Sequence, residues 1–378
     1  MKICSVTLCG NSQNDIGDAI RSIVDYVDVV CFINTGCTDE SSKIARDIAG
    51  EKFVEKHYQW KNDFADARNS FFKFAKECEC DYFVIVDSDE RIIFDKNMTA
   101  EVLKKKIITE KIEGYSFRYQ STSGSNFSYL KEKIIKTDIT EDCRYTQKTH
   151  ECFPIYSIKS KVFEAGSFWE LGKSKEKLIK KFVRDIEILT TELAEKPNDE
   201  RSTFYMARSY HDLWGQTQNN EYAEKAIEWY EKRKLLSGYY DERYISQLYL
   251  SRIKQKLGFE KYSEHELITS FLDCTNYNAH RIEHFEWLIE NYQNKKKWEM
   301  AYLLTSYAID KKYNNFLFNE PQIYEWKIYD LHGMSCFYTN RRQEMKDCGK
   351  ILQNLYLQNK IPEQYQQRIN SNLKFYLA

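Results

Sequence analysis

Short apolar runs alternate with helical patterns over the first part of the chain. Runs of strand character cover residues 3–8, 29–33, 53–57 and 82–86, and helical spacing of apolar residues appears between them. Apolar strands that alternate with helices are typical of a parallel sheet covered on both faces. The pattern predicts an α/β domain over residues 1–174, with ligands bound where the strands end.

The pattern changes from residue 175 onward. Strand-like runs nearly vanish, and helical patterns follow one another, separated by short polar breaks such as 196–199. The segments 205–210 and 223–230 resemble the helix pair of a tetratricopeptide repeat, although the period is imperfect. We therefore predict an array of helical hairpins over residues 175–378, with an ordinary α-helical domain as the alternative.

Composition narrows the class of protein. The chain has 378 residues, and its 56 Lys and Arg nearly balance 57 Asp and Glu. Without a basic excess, binding to nucleic acid by charge is not expected. The 11 cysteines are odd in number and scattered, which favours a reducing compartment over a disulfide framework. Because apolar runs are too short for a membrane span, we expect a cytoplasmic protein.

Candidate chemistry begins with the acidic segment Asp87-Ser88-Asp89-Glu90, which follows a strongly apolar strand. Two carboxylates at i and i+2 can share a hard divalent cation, and such a cation also binds a diphosphate. Taken alone, the segment is more often a solvated turn. Two further segments change this interpretation: Asn34-Thr35-Gly36-Cys37-Thr38-Asp39 after the second strand, and Trp60-Lys61-Asn62-Asp63-Phe64-Ala65-Asp66-Ala67-Arg68-Asn69 before the fourth.

In this order, the three segments resemble a family 2 glycosyltransferase with the GT-A fold. The later segment Thr149-His150-Glu151 resembles an element of the branch that carries helical repeats. The resemblance implies an N-terminal GT-A (Rossmann-like) mixed-sheet domain followed by an α-helical, tetratricopeptide-like domain.

The resemblance also implies roles for single residues on the donor side. Asn34, where the family usually has Asp, is expected near the base, and the nucleotide is expected to contact Asp63, Arg68, Asp87 and Ser88. A divalent cation, Mn²⁺ or Mg²⁺, is expected on Asp87, Asp89 and His150. For Arg68, a structural ion pair with Asp63 or Asp66 is the alternative.

On the acceptor side, Glu151 is the expected general base, on the face opposite the leaving diphosphate. His150 has the alternative of a hydrogen-bonded structural histidine, and Glu164 stands where the family often has a further histidine ligand. Glu164 is therefore the alternative third ligand.

The function that follows from this resemblance is a metal-dependent, inverting hexosyl transfer from a UDP-sugar to a hydroxyl or thiol. The acceptor is expected to be a peptide, a protein or a glycan. The alternative is a helical-repeat interaction scaffold with an inactive nucleotide-sugar-binding domain. A match to the zinc-protease pattern H-x-x-E-H at 280–284 lies deep in the helical half, and we reject it.

Overall fold

A computed structural model describes residues 1–120, 129–314 and 316–378. The chain divides into two compact units, Met1–Glu192 and Leu193–Ala378. The helix Lys175–Glu195 begins where the sequence pattern changes, and nearly all of it belongs to the first unit.

Eight strands of the described residues form one mixed sheet in the first unit. They are β1 (Ile3–Cys9), β2 (Val29–Asn34), β3 (Phe53–His57), β4 (Tyr82–Ile85), β5 (Glu90–Phe94), β6 (Gly114–Tyr119), β7 (Leu130–Lys136) and β8 (Ser160–Glu170). Their order across the sheet is β3-β2-β1-β4-β7-β6-β8-β5. The first four strands are mutually parallel, and β7 is antiparallel to β4. The strands predicted near residues 3, 29, 53 and 82 are confirmed.

The continuous apolar character of β2 follows from its two buried faces. Val30 and Phe32 join one core, whereas Cys31 and Ile33 join another. The first core includes residues of α1 (Ile16–Arg21), α2 (Ser41–Ala49) and α4 (Ala100–Glu110), and the second includes residues of α3 (Phe64–Glu77). The remaining long helix of the first unit is α5 (Lys175–Glu195). Because successive side chains of a strand point to opposite faces, a strand between two helical layers is apolar throughout.

The strand order reverses between β1 and β4, which are parallel neighbours. In open α/β sheets the crevice at such a reversal, outside the carboxyl ends of the strands, is where ligands bind. The loops that follow these two strands meet there, since the Ser12 and Ser88 hydroxyls are 3.1 Å apart. The acidic segment after β4 therefore lies at the crevice.

Among the described residues, the regular secondary structure of the second unit is helical. Its helices are α6 (Glu200–Thr217), α7 (Asn220–Leu235), α8 (Tyr240–Leu257), α9 (Glu264–Leu272), α10 (Cys274–Tyr277), α11 (Phe285–Asn294), α12 (Trp298–Ile309), α13 (Ile328–Tyr338), α14 (Arg342–Leu357) and α15 (Glu363–Tyr376). Neighbours in sequence such as α6 and α7, or α13 and α14, pack on each other. The predicted change to an all-helical, tetratricopeptide-like second half is confirmed.

Two expectations concern the environment of the chain. All 11 cysteines are free thiols, and most of them are buried. Among the described residues, none of the helices combines the length and the apolar character that crossing a bilayer requires.

Candidate active site

The Glu90 carboxylate holds the acidic loop between β4 and β5 in place. This carboxylate is 1% exposed and accepts from the Asp87 backbone N–H (3.0 Å) and from Lys131 (2.8 Å). It is also paired with Lys133, which is fully buried. With its oxygens occupied and no access to water, Glu90 positions the loop and is no candidate for the base.

Arg68 joins two of the predicted site residues. Its two terminal nitrogens donate to both Asp87 oxygens at 3.1 and 2.8 Å, and its Nε donates to Glu151 Oε1 at 2.5 Å. The guanidinium is a planar fork suited to such bidentate pairing. The structure thus replaces the pairing with Asp63 or Asp66, weighed from the sequence, by pairing with carboxylates 19 and 83 residues away.

The charges in this trio support one another. Burial would raise the pKa of Asp87, but Arg68 and Lys131 hold that pKa well below its ordinary value. Burial works the same way on Glu151, and Arg68 lowers its pKa in turn. Burial would lower the pKa of Arg68, yet Asp87 and Glu151 raise it. All three side chains are therefore charged at neutral pH.

A short hairpin carries His150 and Glu151 to this place. Thr146 and Cys152 exchange two backbone hydrogen bonds of 3.0 Å, which closes the hairpin. Asn69, next to Arg68 on α3, binds both the N–H (2.8 Å) and the C=O (3.0 Å) of Tyr145. The Arg-Asn pair of α3 therefore fixes the hairpin through its backbone and through Glu151.

Asp89 has a different environment from Asp87. Its carboxylate is 26% exposed and pairs with Lys173 at 2.7 Å. Burial would lower the pKa of Lys173, but Asp89 raises it. Lys173 is itself 35% exposed, so this pair can open to a ligand more readily than the pair of Asp87 and Arg68.

Two residues that were predicted to contact the nucleotide, Asn34 and Asp63, have local structural roles in this structure. Asn34 Oδ1 accepts from the N–H groups of Gly36 (2.9 Å) and Cys37 (2.8 Å), and its amide donates to Glu55 (2.9 Å). Both lone pairs of the Asn34 oxygen are thus used inside its own turn. Asp63 is the N-cap of α3 and accepts from the Asp66 N–H at 2.8 Å. Their contacts with a nucleotide stay predictions.

The predicted metal ligands do not gather in one group. Asp87 accepts from Arg68 and Lys131, and His150 Nε2 lies 3.7 Å from Asp185. Glu164 is an exposed residue of β8 near Gly166, which pairs with Phe94 at the end of β5 away from the acidic loop. The Asp89 carboxylate is partly exposed, and a cation shared by Asp87, Asp89 and His150 stays a prediction.

The sequence interpretation missed Lys131, Lys133 and Lys173. The first two are two residues apart on β7, so they share one face of the strand, and both pair with Glu90. That spacing predicts a contact with the acidic loop only if β7 is already known to lie beside β4. Lys173 follows β8, whose pairing with β5 aligns Glu170 with Glu90.

Comparisons with known proteins found a protein family and a solved structure. The family described as Glycosyl transferase family 2 matches residues 6–166. One solved structure, the crystal structure of MamA, aligns at a TM-score of 0.35 with 15% sequence identity and covers 50% of this chain and 99% of MamA. No curated protein matches the chain.

The family match includes Arg68 on α3 and the loop residues Asp87, Asp89 and Glu151. The predicted fold class, a GT-A (Rossmann-like) mixed-sheet domain followed by a helical, tetratricopeptide-like domain, is confirmed. Residues 6–166 of the N-terminal unit therefore form a glycosyltransferase family 2 domain.

Proposed function

We propose that the chain transfers a hexosyl group from a UDP-sugar to a hydroxyl or thiol acceptor. The observation that carries the proposal is the charged group at the carboxyl ends of β1 and β4. In this group, Arg68 pairs with Asp87 and Glu151, and the Asp89 side chain is 26% exposed. This group lies at the reversal of strand order, inside the segment matched by the family.

The charge balance of this group supports the need for a cation. Its four carboxylates and four basic side chains are paired with one another: Asp87, Asp89, Glu90 and Glu151 with Arg68, Lys131, Lys133 and Lys173. A nucleoside diphosphate brings additional negative charge into this neutral group. A divalent cation, Mn²⁺ or Mg²⁺, would neutralise that charge on the leaving diphosphate. Asp89 is the residue proposed to hold it, in exchange for Lys173.

Glu151 is the proposed general base. Arg68 lowers its pKa, so the carboxylate is ionised at neutral pH and can accept a proton from the acceptor. Its side chain is 17% exposed, which leaves it reachable. Glu151 binds the same guanidinium as Asp87, that of Arg68. The proposed base is therefore closer to the residues proposed to bind the nucleotide than the sequence predicted. Inversion by a single displacement is part of the proposal.

A peptide or protein acceptor is proposed for the second unit, with a glycan as the alternative. An open cavity of about 670 Å³ in this unit is lined by Tyr240, Tyr277 and Tyr313 together with Lys311 and Lys312. Aromatic rings supply broad apolar contact area with a polar edge, which suits peptide and sugar ligands alike.

The test combines binding and turnover. UDP, GDP and ADP are compared by thermal unfolding with and without Mn²⁺, and UDP release from UDP-sugars is measured with peptide acceptors. We expect UDP with Mn²⁺ to stabilise the first unit by about 2.7 kcal/mol at one hundred times its dissociation constant. Stabilisation by GDP alone would contradict the uracil assignment, and no stabilisation by any nucleotide would favour the scaffold alternative.

The matched variants are Asp89→Ala and Asp95→Ala. Asp89→Ala removes the half-open carboxylate, so we expect loss of transfer with the fold intact. Asp95 is exposed just after the other end of β5, and its replacement should leave transfer unchanged. Transfer at the wild-type rate by Asp89→Ala would remove the metal role from the proposal.

A further inference from the structure

A cluster of three metal-ligand side chains lies in the second unit. His332 and Cys336 are one turn apart on α13, and Glu344 reaches them from α14. His332 Nε2 is 3.2 Å from Glu344 Oε2 and 3.4 Å from Cys336 Sγ. The three ligand atoms all lie within 4.8 Å of one another.

Hydrogen bonds orient the His332 ring. Its Nδ1 lies 2.8 Å from the Thr305 hydroxyl, which is also 3.0 Å from the Tyr302 carbonyl. With Nδ1 directed to Thr305, Nε2 faces Cys336 and Glu344. In the tautomer that carries its proton on Nδ1, Nε2 offers a lone pair to a metal ion.

The nitrogen, sulfur and oxygen atoms of the cluster converge in a place that is mostly closed to water. His332 is 3% exposed and Cys336 is fully buried. Bulk water therefore competes little for these two ligand atoms.

We propose that His332, Cys336 and Glu344 bind a zinc ion. Imidazole nitrogen, thiolate sulfur and carboxylate oxygen are the zinc ligands of proteins, at bonds of about 2.0–2.3 Å. In a tetrahedron with such bonds, neighbouring ligand atoms are roughly 3.3–3.7 Å apart. The separations of 3.2 and 3.4 Å are close to these edges, and the third pair of ligand atoms lies within 4.8 Å, so small movements complete the site.

The surroundings orient two of the ligands as zinc sites require. Thr305 holds His332 by its far nitrogen, and the Tyr302 hydroxyl donates to Glu344 Oε2 at 3.1 Å. The Glu344 side chain is 46% exposed, which gives the ion a path from solvent. Binding converts the Cys336 thiol to a thiolate and releases its proton. A fourth position stays open to water.

The zinc site goes beyond the transfer reaction and makes no use of the residues assigned to it. Because the ligands come from two successive helices, the ion ties α13 to α14. We therefore expect zinc to raise the unfolding temperature of the second unit without any nucleotide present.

The test uses the full chain, stripped of metal by a chelator and titrated with Co²⁺ at pH 8. We expect a thiolate-to-cobalt charge-transfer band in the near ultraviolet that saturates at one equivalent and disappears when Zn²⁺ is added. Cys336→Ala should remove the band. Cys152→Ala, which removes an exposed cysteine outside the cluster, should leave it unchanged.

Glu344→Gln covers the case in which Cys336→Ala does not fold, because the Glu344 side chain is half exposed. This variant should keep the band and weaken Zn²⁺ binding at least 10- to 100-fold. The proposal is overturned if the wild-type chain shows no saturable band. It is equally overturned if Cys336→Ala keeps the band, or if Glu344→Gln binds Zn²⁺ as tightly as the wild type.

Discussion

Each unit contains an arginine paired with two carboxylates, and the two groups differ in access to water. In the first unit, Arg68 is 8% exposed, and its partners Asp87 and Glu151 are 21% and 17% exposed. In the second unit, Arg281 is fully buried with Glu283 and Asp241, at 2.7 and 3.4 Å. One group lies at the ends of strands, and the other lies among helices.

The group around Arg281, here called the sealed group, finds all its hydrogen-bond donors within the protein. Glu283 also accepts from the hydroxyls of Tyr244 (3.1 Å) and Tyr324 (2.9 Å). Asp241 also accepts from Asn278 (3.1 Å) and from the Leu317 N–H (3.0 Å). Carboxylates with such a full set of donors hold the fold and offer nothing to a ligand. An arginine–carboxylate group therefore indicates a site only where its oxygens still reach solvent.

The same network explains why H-x-x-E-H at 280–284 is not a zinc-protease site. His284 has hydrogen bonds to Tyr244 and Thr275, each at 3.0 Å, and Glu283 is committed to Arg281. His280 is exposed and lies apart from this buried group. The motif spacing is present, but the helix that would bring both histidines to one face begins only after them, at Phe285.

The largest effect that separates the two groups is expected from Arg281→Met. This change leaves Glu283 and Asp241 buried without a counter-charge, so we expect a loss of about 3–5 kcal/mol in the free energy of unfolding. Urea denaturation measures it. Arg68→Met should cost less, because Asp87 and Glu151 reach water. Equal losses for both variants would contradict the distinction between an open and a sealed group.

Glu151→Gln tests the open group through turnover. The Gln oxygen can still accept from Arg68, whereas the charge needed to take a proton is lost. We expect turnover to fall 10²- to 10⁴-fold with UDP affinity unchanged. Initial rates and calorimetric titration measure the two quantities. Glu164→Gln is the matched control on the exposed face of β8, and a loss of turnover there instead would move the base to Glu164.

Acid should weaken the second unit before the first. Burial lowers the pKa of His284 to about 3, from an ordinary value of 6.5. Between these values the unfolded chain binds a proton and the folded chain does not, so stability falls as pH drops below 6.5. The loss is about 1.4 kcal/mol per pH unit.

The site carboxylates of the first unit act at lower pH. The pKa values of Asp87 and Glu151 are lowered, so the stability they supply is present above their ordinary values of 3.8 and 4.5 and is lost below. Hydrogen exchange of each unit between pH 7 and 5 measures the difference. Simultaneous loss of protection in both units would contradict the assignment. His284→Gln should reduce the response of the second unit, and the remainder comes from His211, whose pKa burial also lowers to about 3.

The smallest expected effect comes from the helix caps of the first unit. Asp63→Ala removes the N-cap of α3, and Thr99→Ala removes that of α4, where Thr99 accepts from Val102 at 3.3 Å. Each should cost about 1 kcal/mol of stability. If Asp63→Ala also weakens UDP binding while Thr99→Ala does not, the predicted donor contact of Asp63 is supported. Equal binding by both variants leaves Asp63 as a cap.

The sequence predicted the elements well because their signals are local. The strand at Phe53–His57 has the predicted bounds, and helices lie between the predicted strands, since burial on one or two faces repeats every few residues. The strand-end position of Asp87 and Asp89 follows from the same periodicity. These signals extend over one element and need no knowledge of its neighbours.

The partners of the charged residues were decided by tertiary structure alone. Arg68 meets Glu151, 83 residues away, because Asn69 anchors the hairpin of Glu151 beside α3. Lys131 meets Glu90, 41 residues away, because β7 lies beside β4 in the sheet. An ion pair forms wherever opposite charges come within reach, so sequence spacing does not select among the many carboxylates available. Strand order and register made that selection, and with it decided which carboxylates are buried and which stay open to a ligand.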